Sequence, residues 1–407
     1  MGNRVGIVGG GAAGMMAAIT AARNGERVTL LEGNDRLGKK ILSTGNGKCN
    51  LGNEKLGVDA YYTGRPDMLE DFLGRFGTED TVSFFRGIGL TIKSRNGYLY
   101  PACEQAAAVL DVLRYEVKAV GVEVVTDFKA ESVERGRRSG LLKVEGKDGV
   151  YSFDRVILAC GGKAAPKTGS DGSGYRIARQ LGHSLVPTVP ALVQLRCREE
   201  YLKSVAGVRA DARISVYFQG KCVAQERGEL QLTDYGISGI PVFQLSRTVN
   251  YILAGGDKPA EVAVSIDFLP DYTEDEFRML RAGRKRLRGQ RTVEEFFTGM
   301  LHKKLMLLFL KLAGLKPTEA VSGADERKLA RVYELGRDWR LHVTGSNSYD
   351  NAQVCAGGVP LDEVTESLES RLVPGVYFAG EILDVDGKCG GYNLQWAWCS
   401  GAIAGKG

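Results

Sequence analysis

Close to its start the chain carries six residues whose types and spacing suit one task. Gly9-Gly10-Gly11-Ala12-Ala13-Gly14 is a G-x-G-x-x-G run. It follows a short apolar segment, residues 4–8, that reads as a buried strand, and it opens an Ala-rich helical segment, residues 12–24, closed by Gly25. Gly9 permits a tight turn, Gly11 lets the backbone approach a diphosphate, and Gly14 lets helix and strand pack closely. A diphosphate then rests on unpaired helix N–H groups and the positive end of the helix dipole. Residues 27–31 return as a second apolar strand ending at Glu32, a carboxylate placed to accept hydrogen bonds from a ribose diol. The flanking elements and the acid favour a bound dinucleotide over a glycine-rich turn with no ligand.

The opening fingerprint does not separate FAD from NAD; the tail does. Residues 376–381 form an apolar strand that stops at Gly380-Glu381, offering a carboxylate to a polyol or ribose. Gly390-Gly391-Tyr392-Asn393-Leu394 then opens the final helix. A helix N-terminus there favours the negative charge that develops at the N1–C2=O edge of a reduced flavin. A simple NAD dehydrogenase needs no second, C-terminal cofactor contact of this form. Joined to the fingerprint, the tail points to FAD.

The elements that must position these residues can be read around them. The first βαβ unit sets up a parallel sheet. Residues 41–57 lack periodicity and read as a long loop, residues 67–87 and 105–120 as helices, and residues 122–125 as a strand. Residues 130–153 alternate as an antiparallel meander, and 155–159 form another fully apolar strand. Near Pro187 and Pro190 the character changes. Short alternating segments recur to about residue 268, a small β domain, followed by a charged helical stretch. Gly-rich α/β character returns after Asn351. The expected architecture is α/β: a discontinuous FAD-binding Rossmann domain (1–190 and 345–407), an inserted β-barrel (191–272 and 336–344) and a helical subdomain (273–335).

Several further stretches resemble the YhiN/BaiN-like flavoproteins, FAD-dependent oxidoreductases that include aminoacetone oxidases and bile-acid 4,6-reductases. The matching runs are GKKIL at 38–42, TGNGKCN at 44–50, PKTGSDGSGY at 166–175, YGISGIPVFQLS at 235–246, and residues 356–359 with 380–396. The resemblance spans essentially the whole chain and implies a glutathione-reductase-like first domain. It makes Gly9 to Gly14 the diphosphate loop and Glu32 the ribose acid. It lays Lys40, Thr44, Gly45, Asn46, Cys49 and Asn50 along the flavin, and sets the backbone of Ala130 against adenine. Ala159-Cys160-Gly161 stands where related flavoproteins carry Ala-Thr-Gly. Gly380, Glu381, Gly390, Gly391, Tyr392, Asn393 and Leu394 hold the ribityl chain and ring. Cys355 and Cys389 replace a usual Thr, and Cys389 is expected to alter the flavin environment.

Other chemistries are less well supported. The eight cysteines include no C-x-x-C pair, so a disulfide reductase is disfavoured, and the three widely spaced histidines offer no zinc spacing. Net charge is only +5 over 407 residues, which demands neither nucleic acid nor an anionic membrane. The basic run Arg281, Arg284, Lys285, Arg286, Arg288 and Arg291 is flanked by Asp275, Glu276, Glu294 and Glu295 and reads as a solvated helix face. The run 169–174 imitates a second dinucleotide loop but does not directly follow a strand. With no room for a signal peptide before the first strand, no long apolar run and scattered cysteines, a cytoplasmic protein is expected. The expected partner is a small-molecule substrate. The leading expectation is an NADH- or NADPH-driven reductase: nicotinamide visits transiently, hydride passes to flavin N5 and on to an electron-poor C=C, and apolar residues of the insert set specificity. The enone part of this follows from the resemblance alone. The alternatives are an amine oxidase using O2 and a tRNA-binding flavoprotein.

Overall fold

A computed structural model describes residues 2–136, 140–255 and 261–407, so the 137–139 turn of the expected meander lies outside the described residues. The chain divides into two compact units. One runs to Pro190 and resumes over Tyr349–Gly407; the other is Ala191–Ser348.

The first unit is built on a five-stranded sheet. Its elements, in chain order, are β1 (Arg4–Val8), α1 (Ala12–Arg23), β2 (Arg27–Leu31), α2 (Ala106–Ala119), β3 (Glu123–Val125), β4 (Arg155–Leu158), α3 (Ser173–Gln180), β5 (Val376–Phe378) and α4 (Tyr392–Lys406). The strand order is β5-β4-β1-β2-β3, with every neighbouring pair parallel. β1 is central, with Ile7 opposite Ile157 on one side and Leu30 on the other. Its unbroken apolar run suits a strand covered on both faces.

α1 and α4 are buried along almost their whole length, which explains why neither shows a polar face. Small residues let them touch. A methyl added at Gly401 would lie 2.4 Å from the carbonyl oxygen of Ala13, and one at Gly405 2.7 Å from that of Ala17. The two ends of the chain are therefore held backbone to backbone. α4 also ties down the loops above the sheet. Trp396 Nε1 donates to the Gly380 carbonyl (3.2 Å), Ser400 Oγ accepts from the Gly380 N–H (2.9 Å), and Trp398 Nε1 donates to the Leu51 carbonyl (3.0 Å).

The second unit contains a closed six-stranded barrel, Leu195–Cys197, Gly236–Ser238, Lys221–Leu232, Arg209–Phe218, Val262–Asp267 and Trp339–Ser346 in spatial order. The helical stretch and the barrel bury one common cluster, in which Phe277, Phe297, Phe309 and Tyr333 meet Ile214, Val264 and Trp339. The final barrel strand continues past 345, pairing Ser346 with Leu195, so the return to the first unit falls at Tyr349.

Three expected elements differ. The segment expected to be all β contains a helix, Ile240–Ala254, because Val242, Leu245 and Val249 recur at helical spacing behind a first-turn Pro241. The single helix expected over 67–87 is two, Pro66–Arg75 and Thr78–Gly87. The chain turns at Phe76 and Gly77, and the Gly77 N–H is capped by Asp80 (2.8 Å). The 41–57 loop holds tight turns over Ile41–Gly47, kinked at Thr44, Gly45 and Asn46, and a short strand, Gly52–Asn53.

Candidate functional site

The first unit encloses a cavity of about 370 Å³ above the ends of its parallel strands, where ligands bind in open α/β sheets. The three fingerprint glycines serve it for different reasons. Gly9 has φ 105°, and a methyl on it would meet the Ala159 carbonyl oxygen at 2.5 Å. A methyl on Gly14 would sit 1.8 Å from the Gly9 oxygen. Gly11 faces open space, with nothing within 4 Å of an added methyl. It caps α1 with no side-chain hydrogen bond and no acid in the first turn. Gly9, Gly11, Ala12 and Ala13 line the cavity, so uncapped helix N–H groups are available to an anion. Gly10 and Gly14 are off the wall, the first giving its N–H to Glu32 Oε2 (2.7 Å).

Glu32 is on the wall and nearly buried. Its other oxygen accepts from the Asn34 N–H (2.8 Å) and Asn34 Nδ2 (2.6 Å), which fixes the carboxylate without covering it with a cation. Around it stand Phe128, Lys129, Ala130 and the 166–173 loop, which contributes Pro166, Thr168, Gly169, Ser170, Asp171 and Ser173. Asn34 Nδ2 reaches the Thr168 carbonyl (3.3 Å), and Lys129 pairs with Asp171 (2.5 Å). No place at the cavity was assigned to this loop from its sequence. Its glycine-rich composition is the sequence signal for a loop whose backbone borders the cavity.

A second group of polar residues on the same wall gathers around Glu381. Lys40 Nζ lies 2.7 Å from Glu381 Oε2, and the Cys355 N–H donates to Oε1 (2.8 Å). Thr44, Gln353, Val354, Gly380, Asn393, Leu394 and Trp396 complete this region. α4 begins here at Gly391 (φ 94°), also without a side-chain cap or a first-turn acid. Of the remaining expected residues, Ala159, Cys160 and Gly161 are on the wall, while Gly45, Asn46, Cys49, Asn50, Gly390, Gly391 and Tyr392 are not. They shape the turns that carry their neighbours: a methyl on Gly391 would meet Asn50 Oδ1 and the Gly52 carbonyl oxygen, both at 2.6 Å.

The thiols near the cavity are poor nucleophiles. Burial pushes both Cys49 and Cys160 up to about 12, and Cys355 up to about 11, so all three are protonated at neutral pH. No disulfide joins any of the eight cysteines. Among the described residues no group of three or more His, Cys, Asp or Glu is placed to hold a metal.

Other suggestive features are accounted for structurally. A Glu363–His183–Ser370 relay, with the His and Ser buried and both contacts at 2.7 Å, looks like a nucleophilic triad. However, Ser370 Oγ accepts the N–H groups of Leu372 and Val373, and none of the three lines a described cavity. A hollow of about 400 Å³ in the second unit has its acids, Asp211 and Asp271, both engaged by Arg227. The basic run is largely spent on its own unit. Arg281 stacks on Tyr333, Arg284 donates to the Phe296 and Thr298 carbonyls, Lys285 pairs with Glu326, and Arg288 donates to the Glu295 carbonyl. Among the described residues no helix is long and apolar enough to cross a membrane.

An uncapped α1 N-terminus, a glycine opening on the cavity, a fixed carboxylate at the tip of β2 and the start of a second uncapped helix beside the same wall fit an FAD. The chain matches the family model described as the HI0933-like protein Rossmann domain over residues 3–407. It is 42% identical over 407 residues to the 3-dehydro-bile acid delta(4,6)-reductase of Clostridium scindens, covering 99% of this chain and 98% of that one. A ribosomal RNA dihydrouridine synthase of Escherichia coli is 31% identical, covering 97% and 95%. The crystal structure of 3-ketosteroid delta1-dehydrogenase from Sterolibacterium denitrificans superposes with a TM-score of 0.51 at 13% identity, over 99% of this chain and 98% of that one, a likeness of fold. The chain therefore belongs to the HI0933-like family, the YhiN/BaiN-like flavoproteins expected from its motifs, and is an FAD-dependent oxidoreductase.

Proposed function

We propose that this enzyme reduces an electron-poor C=C bond conjugated to a carbonyl, in a steroid- or bile-acid-like enone, using NADH or NADPH. The observation that carries the substrate class is the 42% identity to the bile-acid reductase over nearly the whole of both chains. The first unit is assigned as the FAD domain. Gly9 to Gly14 would take the diphosphate, Glu32 the ribose diol and Ala130 the adenine. Ala159, Cys160 and Gly161 would border the diphosphate. Lys40, Thr44, Gly380, Glu381, Asn393 and Leu394 would line the ribityl and ring portion, held in shape by Gly45, Asn46, Cys49, Asn50, Gly390, Gly391 and Tyr392. Bound FAD supplies two-electron transfer between a nicotinamide and a carbon acceptor.

The chain's own residues contribute placement and field. The N-terminus of α4 favours negative charge beside Asn393 and Leu394. The protonated Cys49 and Cys160 keep the redox chemistry off the protein. The activity belongs in the cytoplasm, where these thiols stay reduced.

A second reading draws on the 31% identical relative: reduction of a uracil C=C within RNA. The two relatives' names share one chemistry, since dihydrouridine is uridine with its ring double bond saturated. The local use of Arg281, Arg284, Lys285 and Arg288 argues against a free RNA-gripping face on that helix.

Anaerobic mixing separates the readings. FAD-loaded enzyme should bleach with NADH or NADPH and regain its colour with a 3-keto-4-ene steroid. Bleaching by small amines alone, with peroxide formed in air, would replace the proposal with an amine oxidase. Recolouring by uridine-containing ribosomal RNA and not by the enone would establish the RNA reading instead.

A further inference from the structure

Two ion pairs have both partners on the cavity wall, and they differ in their exposure to water. Lys129 and Asp171 are 56% and 30% exposed, whereas Lys40 and Glu381 are 26% and 19% exposed. Solvent screens the first pair strongly. Charges of the second act through a less polar medium, where a unit charge has a larger effect on its surroundings.

The position of Glu381 is over-determined. It follows Gly380, whose N–H and C=O are held by Ser400 and Trp396. One carboxylate oxygen takes the Cys355 N–H and the other takes Lys40, a residue 341 positions away. A fixed carboxylate on the wall of a cavity whose ligand must accept electrons is unfavourable, because reduction adds negative charge. Glu381 alone opposes that charge; Lys40 offsets it. Among the described residues the wall carries three cations; Lys129 pairs with Asp171 and Lys39 with Asp35 (2.6 Å), which leaves Lys40 as the one set against Glu381.

We propose that the Lys40–Glu381 pair sets the reduction potential of the bound cofactor, Lys40 acting as the charge that makes Glu381 tolerable beside reduced FAD. This rests on the FAD assignment above. The sign does not depend on where the ring lies: losing the cation disfavours the reduced state, losing the carboxylate favours it, and losing both restores balance.

The test uses FAD-loaded wild type, Lys40→Met, Lys40→Arg, Glu381→Gln and the Met/Gln double variant. FAD stoichiometry is measured first by absorbance, then the midpoint potential by dye equilibration. In Lys40→Met the oxidised-to-reduced ratio at the wild-type midpoint should rise at least tenfold, a drop of about 30 mV for a two-electron couple. Glu381→Gln should shift in the opposite sense. Lys40→Arg and the double variant should stay near wild type. Wild type that takes up no FAD would sink the cofactor assignment itself. Normal FAD content with an unmoved Lys40→Met potential, or both single variants shifting the same way, would overturn only the pair's role. Should Lys40→Met fail to retain FAD, a Glu381→Gln potential at or below wild type overturns the proposal by itself.

Discussion

The two units solve opposite packing problems. In the second, aromatic rings fill the interior: Trp339 meets Phe309 at 5.2 Å and Phe268 at 6.0 Å, while Tyr333 meets Phe297 at 5.1 Å. In the first, the 9–14 turn at the cavity is all glycine and alanine, and backbones approach where side chains would otherwise sit. The comparison teaches that removing side-chain volume has opposite meanings in the two places. In the barrel it leaves a void that weakens the fold; at the cradle it makes room for a ligand.

Four perturbations can break or sharpen that contrast. Trp339→Ala should cost about 3–5 kcal/mol in denaturant unfolding of the second unit, leaving FAD absorbance per folded first unit unchanged. A loss under about 1 kcal/mol would show that the ring cluster is not what holds the barrel. Gly14→Ala should cost about 1–3 kcal/mol through overpacking against the Gly9 oxygen, and the protein should purify colourless. Gly11→Ala should do the reverse. Its methyl meets nothing, so stability should stay within about 0.5 kcal/mol, yet FAD affinity by fluorescence titration should fall at least tenfold as the methyl intrudes on the ligand. Equal FAD affinity in this variant would remove the diphosphate assignment.

The smallest effect concerns the Lys129–Asp171 contact. Burial works to raise the Asp171 carboxyl, but hydrogen bonds from Lys129 and Ser173 outweigh it and hold the group at about 2. A depressed carboxylate contributes stability above its ordinary range and loses it as pH falls toward 2. The contribution of this contact to unfolding stability should therefore be flat from neutral pH to about pH 4 and decline below that, with Asp171→Asn losing it already at neutral pH. A wild-type stability advantage over Asp171→Asn that shrinks on raising the pH through neutrality would contradict this.

Much of the first unit was legible because its signals are local. A strand, a glycine turn, a helix and an acid lie within the first 32 residues, and each position has its own steric or polar reason. The Gly380-Glu381 strand end and the start of the final helix were likewise readable. The 240–254 helix was harder, since β-branched residues at short range imitate strands until their burial spacing is known. Asn34, Lys129 and the 166–173 loop escaped because they join the wall through contacts between segments far apart in the chain. The small residues of α4 gave no outward sign that they were there to meet Ala13 and Ala17.

By itself the amino-acid order determined the kind of ligand: local steric demands at Gly9, Gly11 and Gly14, and a carboxylate at the tip of the next strand, are properties of neighbouring residues. Tertiary structure alone decided the partner of each charge and the wall each residue would face. Glu381 meets Lys40 across nearly the whole chain because α4 packs on α1 through glycine, and no spacing rule reaches over that distance. Electrostatics at the site is therefore a product of the fold, whereas the cradle is a product of the sequence.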